Sequence, residues 1–286
     1  MKKLIPLLIL ALSIFSRSNS YAQTTFFSDN FETGTVDTSK WSHNTTNIPN
    51  RNTSLVQDNS TLGPSGQWSA QQIYRAGTRD AGRVGWLNLG KEVLPSHFLV
   101  EFDFKLSPNF HFPMYHKWWR SQPDMSKMSS GNDTELTNNI NGGQSLIMYV
   151  FSYSRAQGYR EWILTGSAGG QIQRNVWHRI GYRYKKNTFN GSAPNHDGEI
   201  EMFFNGKSVG RRADVRLIAD PARWFSDYWG GPGTYTSVNN PIPADQWIRV
   251  DNFKITDLGG GPVPTSTPVP PTPTPTPTPP SGPKPE

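Results

Sequence analysis

The chain has 286 residues, no cysteine, ten tryptophans and a formal net charge of +6. Lacking cysteine, it has no disulfide framework, no thiol nucleophile and no thiolate metal site, so its core must be large enough to stand without staples. Lys2, Lys3 and Arg17 belong to a leader, which leaves the rest at about +3. Such a surface suits an anionic polymer, but it lacks the dense basic stripe and reading element that nucleic acid requires.

In chain order, residues 1–22 have the form of an export signal: a basic "MKK", the apolar run "LIPLLILALSIF", and "SYA" before a cleavage point after Ala22. The apolar run is too short to span a bilayer, and no later run is apolar enough to do so. The expected address is outside the cytoplasm: secreted, periplasmic or cell-surface.

Residues 23–258 show short runs of alternating character punctuated by turn residues, and no long helical pattern, which predicts an all-β sandwich. "HFLVEFDFKLS" places Phe98, Val100, Phe102, Phe104 and Leu106 on one face, against Leu99, Glu101, Asp103 and Lys105 on the other. "MYHKWWRSQ" (114–122) sets two tryptophans among a histidine, a lysine and an arginine. Strict alternation groups Met114, His116, Trp118 and Arg120 against Tyr115, Lys117 and Trp119, and a bulge would reverse that grouping. The polar stretch from Arg120 to Gln144 is expected to be a long surface loop or the rim of a binding site. "SLIMYVFSYS" follows as a strand; "VWHRIGYRYKK" and "EIEMFFNGKSV" form a further pair, with Asn205-Gly206 predicting a tight hairpin. "WIRVDNFKIT" is the last strand. From Gly259 to Glu286 a Pro-Thr repeat predicts an extended spacer that joins a downstream module or tethers the domain to the cell envelope.

With these strands in place, three segments resemble concanavalin A-like jelly-roll domains. They are "FFSDNFETGTVDTSKW", the pair "VWHRIGYRYKKNT…DGEIEMFFNGKSV", and "YWGGPGTY…PADQWIRVDNFKIT". The last is similar to the alginate- and glucuronan-lyase branch. The resemblance implies two antiparallel sheets with a groove across the concave one, and a secreted protein acting on an extracellular, acidic polysaccharide. It also implies a structural calcium ion tying the first and last strands, with Asp29, Glu32 and Asp251 as ligands. No organic cofactor is implied.

Three activities compete for that groove. Elimination on a uronate needs a group to neutralise the carboxylate and groups to move protons. Lys117, Arg120, Arg155 and Arg183 suit the first role, and His116, Tyr149, Tyr153, Tyr182 and Tyr184 the second. His116 is the preferred base, because neighbouring cations favour its neutral form. The lyase branch implies Lys, then Ser-x-Arg, then Tyr-x-Tyr on successive strands; Lys117 fills the first place, and the other two motifs do not appear at that spacing. Binding without chemistry needs flat rings for stacking on sugars. Trp118, Trp119, Trp162 and Trp229 lie in polar or glycine-rich surroundings, whereas Trp41, Trp86, Trp177 and Trp247 are expected in the core. Hydrolysis needs paired carboxyl groups. Glu101 and Asp103 match part of the Glu-x-Asp-x-x-Glu pattern of laminarinase-type jelly rolls, but Leu106 stands where the last Glu belongs. Glu199 and Glu201 share a face and are expected on a solvated edge.

Overall fold

The computed structural model describes residues 23–44, 52–58, 67–77, 86–88, 94–111, 115–123, 134–141, 146–152, 160–165, 172–218, 225–228, 233–235 and 241–259. Residues 42–44, 52–53 and all strands between 86–88 and 160–165 other than 97–106, together with 225–228 and 233–235, are described by backbone course and register. The leader and the Pro-Thr repeat fall outside the described residues.

The chain is built from antiparallel strands. In order they are β1 (Thr24–Asp29), β2 (Ser42–Asn44), β3 (Asn52–Gln57), β4 (Trp68–Tyr74), β5 (Trp86–Asn88) and β6 (His97–Leu106). Next come β7 (Tyr115–Pro123), β8 (Thr134–Asn141), β9 (Leu146–Ser152), β10 (Arg160–Thr165), β11 (Trp177–Lys185) and β12 (Phe189–Asn190). The last are β13 (Ala193–Pro194), β14 (Gly198–Phe204), β15 (Lys207–Val215), β16 (Phe225–Tyr228), β17 (Gly233–Tyr235) and β18 (Gln246–Asp257). Among the described residues no helix is long and apolar enough to cross a membrane.

Two large sheets account for most of these strands. The first has eight strands in the order β15-β14-β11-β6-β18-β4-β3, with β1 also pairing to β18. The twelve residues of β18 are long enough to take β4 along their first half and β1 along their second. The second has six strands in the order β10-β9-β8-β7-β16, with β17 also on β7. Short pairs β12–β13 and β2–β5 complete the set.

The core follows from the alternation in β6. Phe98, Val100, Phe102, Phe104 and Leu106 are all 0% exposed, and they line one face with Ile180, Tyr182 and Tyr184 of β11 and Ile200, Met202 and Phe204 of β14. Burying each such side chain contributes about 1.5–3 kcal/mol. The Asn205-Gly206 hairpin between β14 and β15 forms as expected, both residues taking positive φ (48° and 76°), as a two-residue turn matched to strand twist requires. At the other end of the core, Trp41 meets Phe27 edge-on at 4.9 Å and Phe253 at 5.3 Å, and stacks on Phe31 at 6.0 Å. This cluster closes the opening segment "FFSDNFETGTVDTSKW" onto β18.

One expectation is corrected here. The polar stretch after Arg120 is not simply a loop, because Thr134–Asn141 forms β8, paired to β7 on one side and β9 on the other. Its alternation is Leu136, Asn138, Ile140 against Thr137, Asn139, Asn141, too polar on both faces to stand out in sequence.

Candidate functional site

The candidate site is a face of the six-stranded sheet, and its make-up is decided by a single bulge. Lys117 pairs with Asn139 and Trp119 with Asn138, so Trp118 is the extra residue between them. Strict alternation would put Lys117 and Arg120 on opposite faces. The bulge adds one residue and brings them to the same one.

Directly opposed residues of an antiparallel ladder belong to one face, so the register yields continuous rows. One row runs Gly233–Lys117–Asn139–Ile147–Leu164. The next on that face runs Tyr228–Arg120–Thr137–Tyr149–Trp162. Two cations, an amide, a hydroxyl, two phenols and an indole therefore hold neighbouring positions. The opposite face carries the rows of His116, with Ile140 and Leu146, and of Trp119, with Asn138, Met148 and Ile163. Its aliphatic content is that of the inner face of a half-buried antiparallel sheet.

Lys117, Arg120, Tyr149 and Trp162 are thus brought together, while His116 and Trp119 sit at positions of the other face. Trp118 occupies the bulge and belongs to neither row. Tyr153, Arg155 and Trp229 lie outside the described residues. Asn139 and Thr137 are positions that sequence reasoning missed, because β8 was missed.

Three further candidates are corrected outright. Tyr182 and Tyr184 lie in β11 of the eight-stranded sheet, both fully buried in the core. Burial pushes the Tyr182 phenol well above its usual range, which unsuits it to proton transfer. Arg183, on the reverse side of the same strand, is buried and ion-paired to Glu201, with Glu199 at 3.8 Å. In β11, the letters Tyr-Arg-Tyr make a core strand with an ion pair behind it.

The edge formed by Glu199 and Glu201 is an ion-pair ladder and not merely a solvated rim. Glu199 is bound by Arg211 at 2.7 Å and Lys185 at 3.0 Å. Burial works to raise its carboxyl pKa, yet these two cations win and hold it at about 2. The Glu101–Asp103 pair also lies on the outer face of the eight-stranded sheet, away from the candidate rows. Arg179 grips Asp103 with Nε at 2.8 Å and Nη2 at 3.0 Å, and Asn252 Nδ2 donates at 2.9 Å. Both oxygens are occupied, so Asp103 is a fixed structural anion. Trp177 is 7% exposed, and Trp247 stacks under Arg249 at 4.2 Å; both fall on this outer face with Lys105 and Arg249, which Asp58 bridges at 3.3 and 2.7 Å.

The carboxylates expected to hold calcium are engaged one at a time. Asp29 accepts the Phe31 N–H at 2.8 Å and the Trp41 indole N–H at 2.6 Å. Glu32 accepts the Gln67 and Trp68 N–H groups at 3.1 and 3.2 Å. Asp251 accepts the Asn252 N–H at 2.6 Å through Oδ1, and its buried Oδ2 has no partner. Among the described residues no three His, Asp or Glu side chains are grouped to hold a metal. Of these three carboxylates, Asp251 alone keeps a buried oxygen, Oδ2, without a donor. Burial is the chief reason that the Asp251 carboxyl rises to about 7, and the charges of Asp103, Glu32 and Asp29 push the same way.

No family model and no curated protein sequence matches the chain. Solved structures do. An alginate lyase from a Chlorella virus superposes with a TM-score of 0.59 at 16% identity, over 82% of this chain and 100% of the other. The endo-β-1,4-glucuronan lyase of the fungus Trichoderma reesei gives 0.55 at 15%, over 81% and 95%. An alginate lyase from Aplysia kurodai gives 0.52 at 13%, over 71% and 86%. At such identities the likeness is one of fold. The chain is an open, two-sheet antiparallel sandwich with the concanavalin A-like jelly-roll fold, the fold that alginate and glucuronan lyases share.

Proposed function

We propose that this is an exported protein that binds a uronate-containing polysaccharide on the outer face of its six-stranded sheet and cleaves it by β-elimination. The observation that carries the reading is the register that sets Lys117, Arg120 and Asn139 on one face with Tyr149. The neighbouring lyase structures and the expected export signal support it.

In this reading Lys117, Arg120 and the Asn139 amide counter the carboxylate of the uronate, which makes the proton at C5 more acidic. Tyr149, two strands from Arg120, takes that proton. The electron pair left at C5 forms the C4–C5 double bond, the C4–O bond breaks, and the departing oxygen takes the proton from Tyr149, which restores the base. The products are an unsaturated uronate and a new chain end. Tyr149 replaces His116 as the base because His116 is registered to the other face. Counting β7, β8 and β9 as successive strands puts one tyrosine, Tyr149, on the third, while β8 carries no Ser-x-Arg and β9 no Tyr-x-Tyr.

The test is incubation with alginate, glucuronan, pectate and heparin while following the ultraviolet absorbance of the unsaturated uronate. A rise with one polymer supports elimination. No rise with any of them, combined with retention on a polysaccharide affinity gel, gives the second reading, a binding module. Trp162 and the tyrosines of its row suit that second reading equally well as stacking surfaces.

A further inference from the structure

We propose that Trp162 is a stacking platform for the polysaccharide, at the far end of the row Tyr228–Arg120–Thr137–Tyr149–Trp162 and three sugars away from the carboxylate held at Arg120. This rests on the proposed uronate-binding face and on a groove that crosses the strands, and adds to them a far subsite and a length. Arg120 is in β7 and Trp162 in β10, the edge strand, with β8 and β9 between them. Three strand spacings amount to roughly 14 Å. A pyranose residue is about as long as one such spacing, so a chain running across the strands advances one sugar per strand.

The two ends of the row differ in chemistry. The β7 end holds the cations Lys117 and Arg120, which act on a charged group. The β10 end holds an indole in the row itself, which acts on the C–H face of a sugar whatever its charge, and the cation Arg160 stands two positions along that strand on the same face. On this face the β10 positions either side of Trp162 are Leu164, in the row of Lys117, and Arg160, in the row of Phe151. A chain running along β7 from Arg120 stays three strands away from Trp162 at any length.

The experiment is calorimetric titration of the full chain with purified oligouronates, from disaccharide to hexasaccharide, of whichever polymer binds. Affinity is expected to step up about five- to tenfold between trisaccharide and tetrasaccharide, the first length that spans both ends. Trp162→Ala removes the step and leaves the affinity for the trisaccharide in place; Trp162→Phe, which keeps a ring and serves as the folding control, retains most of it. Arg120→Gln weakens every length by a similar factor and leaves the step. Affinity that climbs evenly with length, or a step that survives Trp162→Ala, overturns the proposal while the uronate reading stands. Binding at no length overturns both.

Discussion

Trp41 donates its indole N–H to Asp29 Oδ2 at 2.6 Å, with both residues buried. The bond explains why an acidic residue stands inside an aromatic cluster. Asp29→Ala leaves a buried indole N–H and the Phe31 N–H without their acceptor, and should cost about 1–3 kcal/mol. Asp29→Asn, which keeps an acceptor oxygen, should cost less. Thermal melts of the two variants check this.

Because Asp29, Glu32 and Asp251 are each engaged separately by N–H donors, the fold should not depend on a calcium ion shared among them. Melting temperature is expected to be the same with excess calcium and with a chelator. A rise of several degrees with calcium, lost in Asp251→Asn, would refute this.

Asp251 has its folded pKa raised to about 7 from an unfolded value of 3.8. The protonated form is favoured by folding, so its contribution is fully present below about pH 4 and is lost as pH rises through 7. Above that, the folded protein holds an unfavourable buried charge. Asp251→Asn keeps Oδ1 for the Asn252 N–H and removes the charge. It should stabilise the protein by roughly 2–4 kcal/mol at pH 8, with the gain shrinking toward pH 5. Denaturant midpoints at both pH values measure it.

Tyr149→Phe should lower the elimination rate by about 10²-fold or more and change polymer binding little, as removal of a proton-transfer group does. His116→Gln, on the other face, should leave the pH profile of turnover unaltered. Steady-state rates across pH distinguish the two.

Asp103 serves the fold and not a hydrolytic pair. Asp103→Asn should lower stability by about 3–5 kcal/mol at most, because it strands a part-buried Arg179, yet leave the product an unsaturated uronate. Loss of turnover in a variant that still melts cooperatively would reopen hydrolysis.

How much was legible in sequence varied with burial. β6 and β11 were plain, because a strand with a fully buried face alternates aromatic and aliphatic residues with polar ones. The hairpin at Asn205 was plain because few residue pairs accept positive φ twice. β8 was hidden, since Thr137, Asn139 and Asn141 face away from the aliphatic positions yet those positions also include Asn138. Missing it shifted every later strand by one when the lyase pattern was sought. Tyr182 and Tyr184 misled for the opposite reason: phenols serve cores and active sites alike, and letters do not say which sheet a strand joins.

The sequence by itself determined that this chain is an all-β protein, because alternation and turn chemistry are local properties, and three of its segments resemble those of concanavalin A-like sandwiches. It also determined which residue types a sugar-binding face would draw upon. Only the tertiary structure decided which of them stand together. The extra residue at Trp118 turns the strand over by one position, so Arg120 joins Lys117 and leaves His116. Pairing with β8 and β9 then adds Asn139 and Tyr149. Both depend on hydrogen-bond register between strands, and no single strand carries that information.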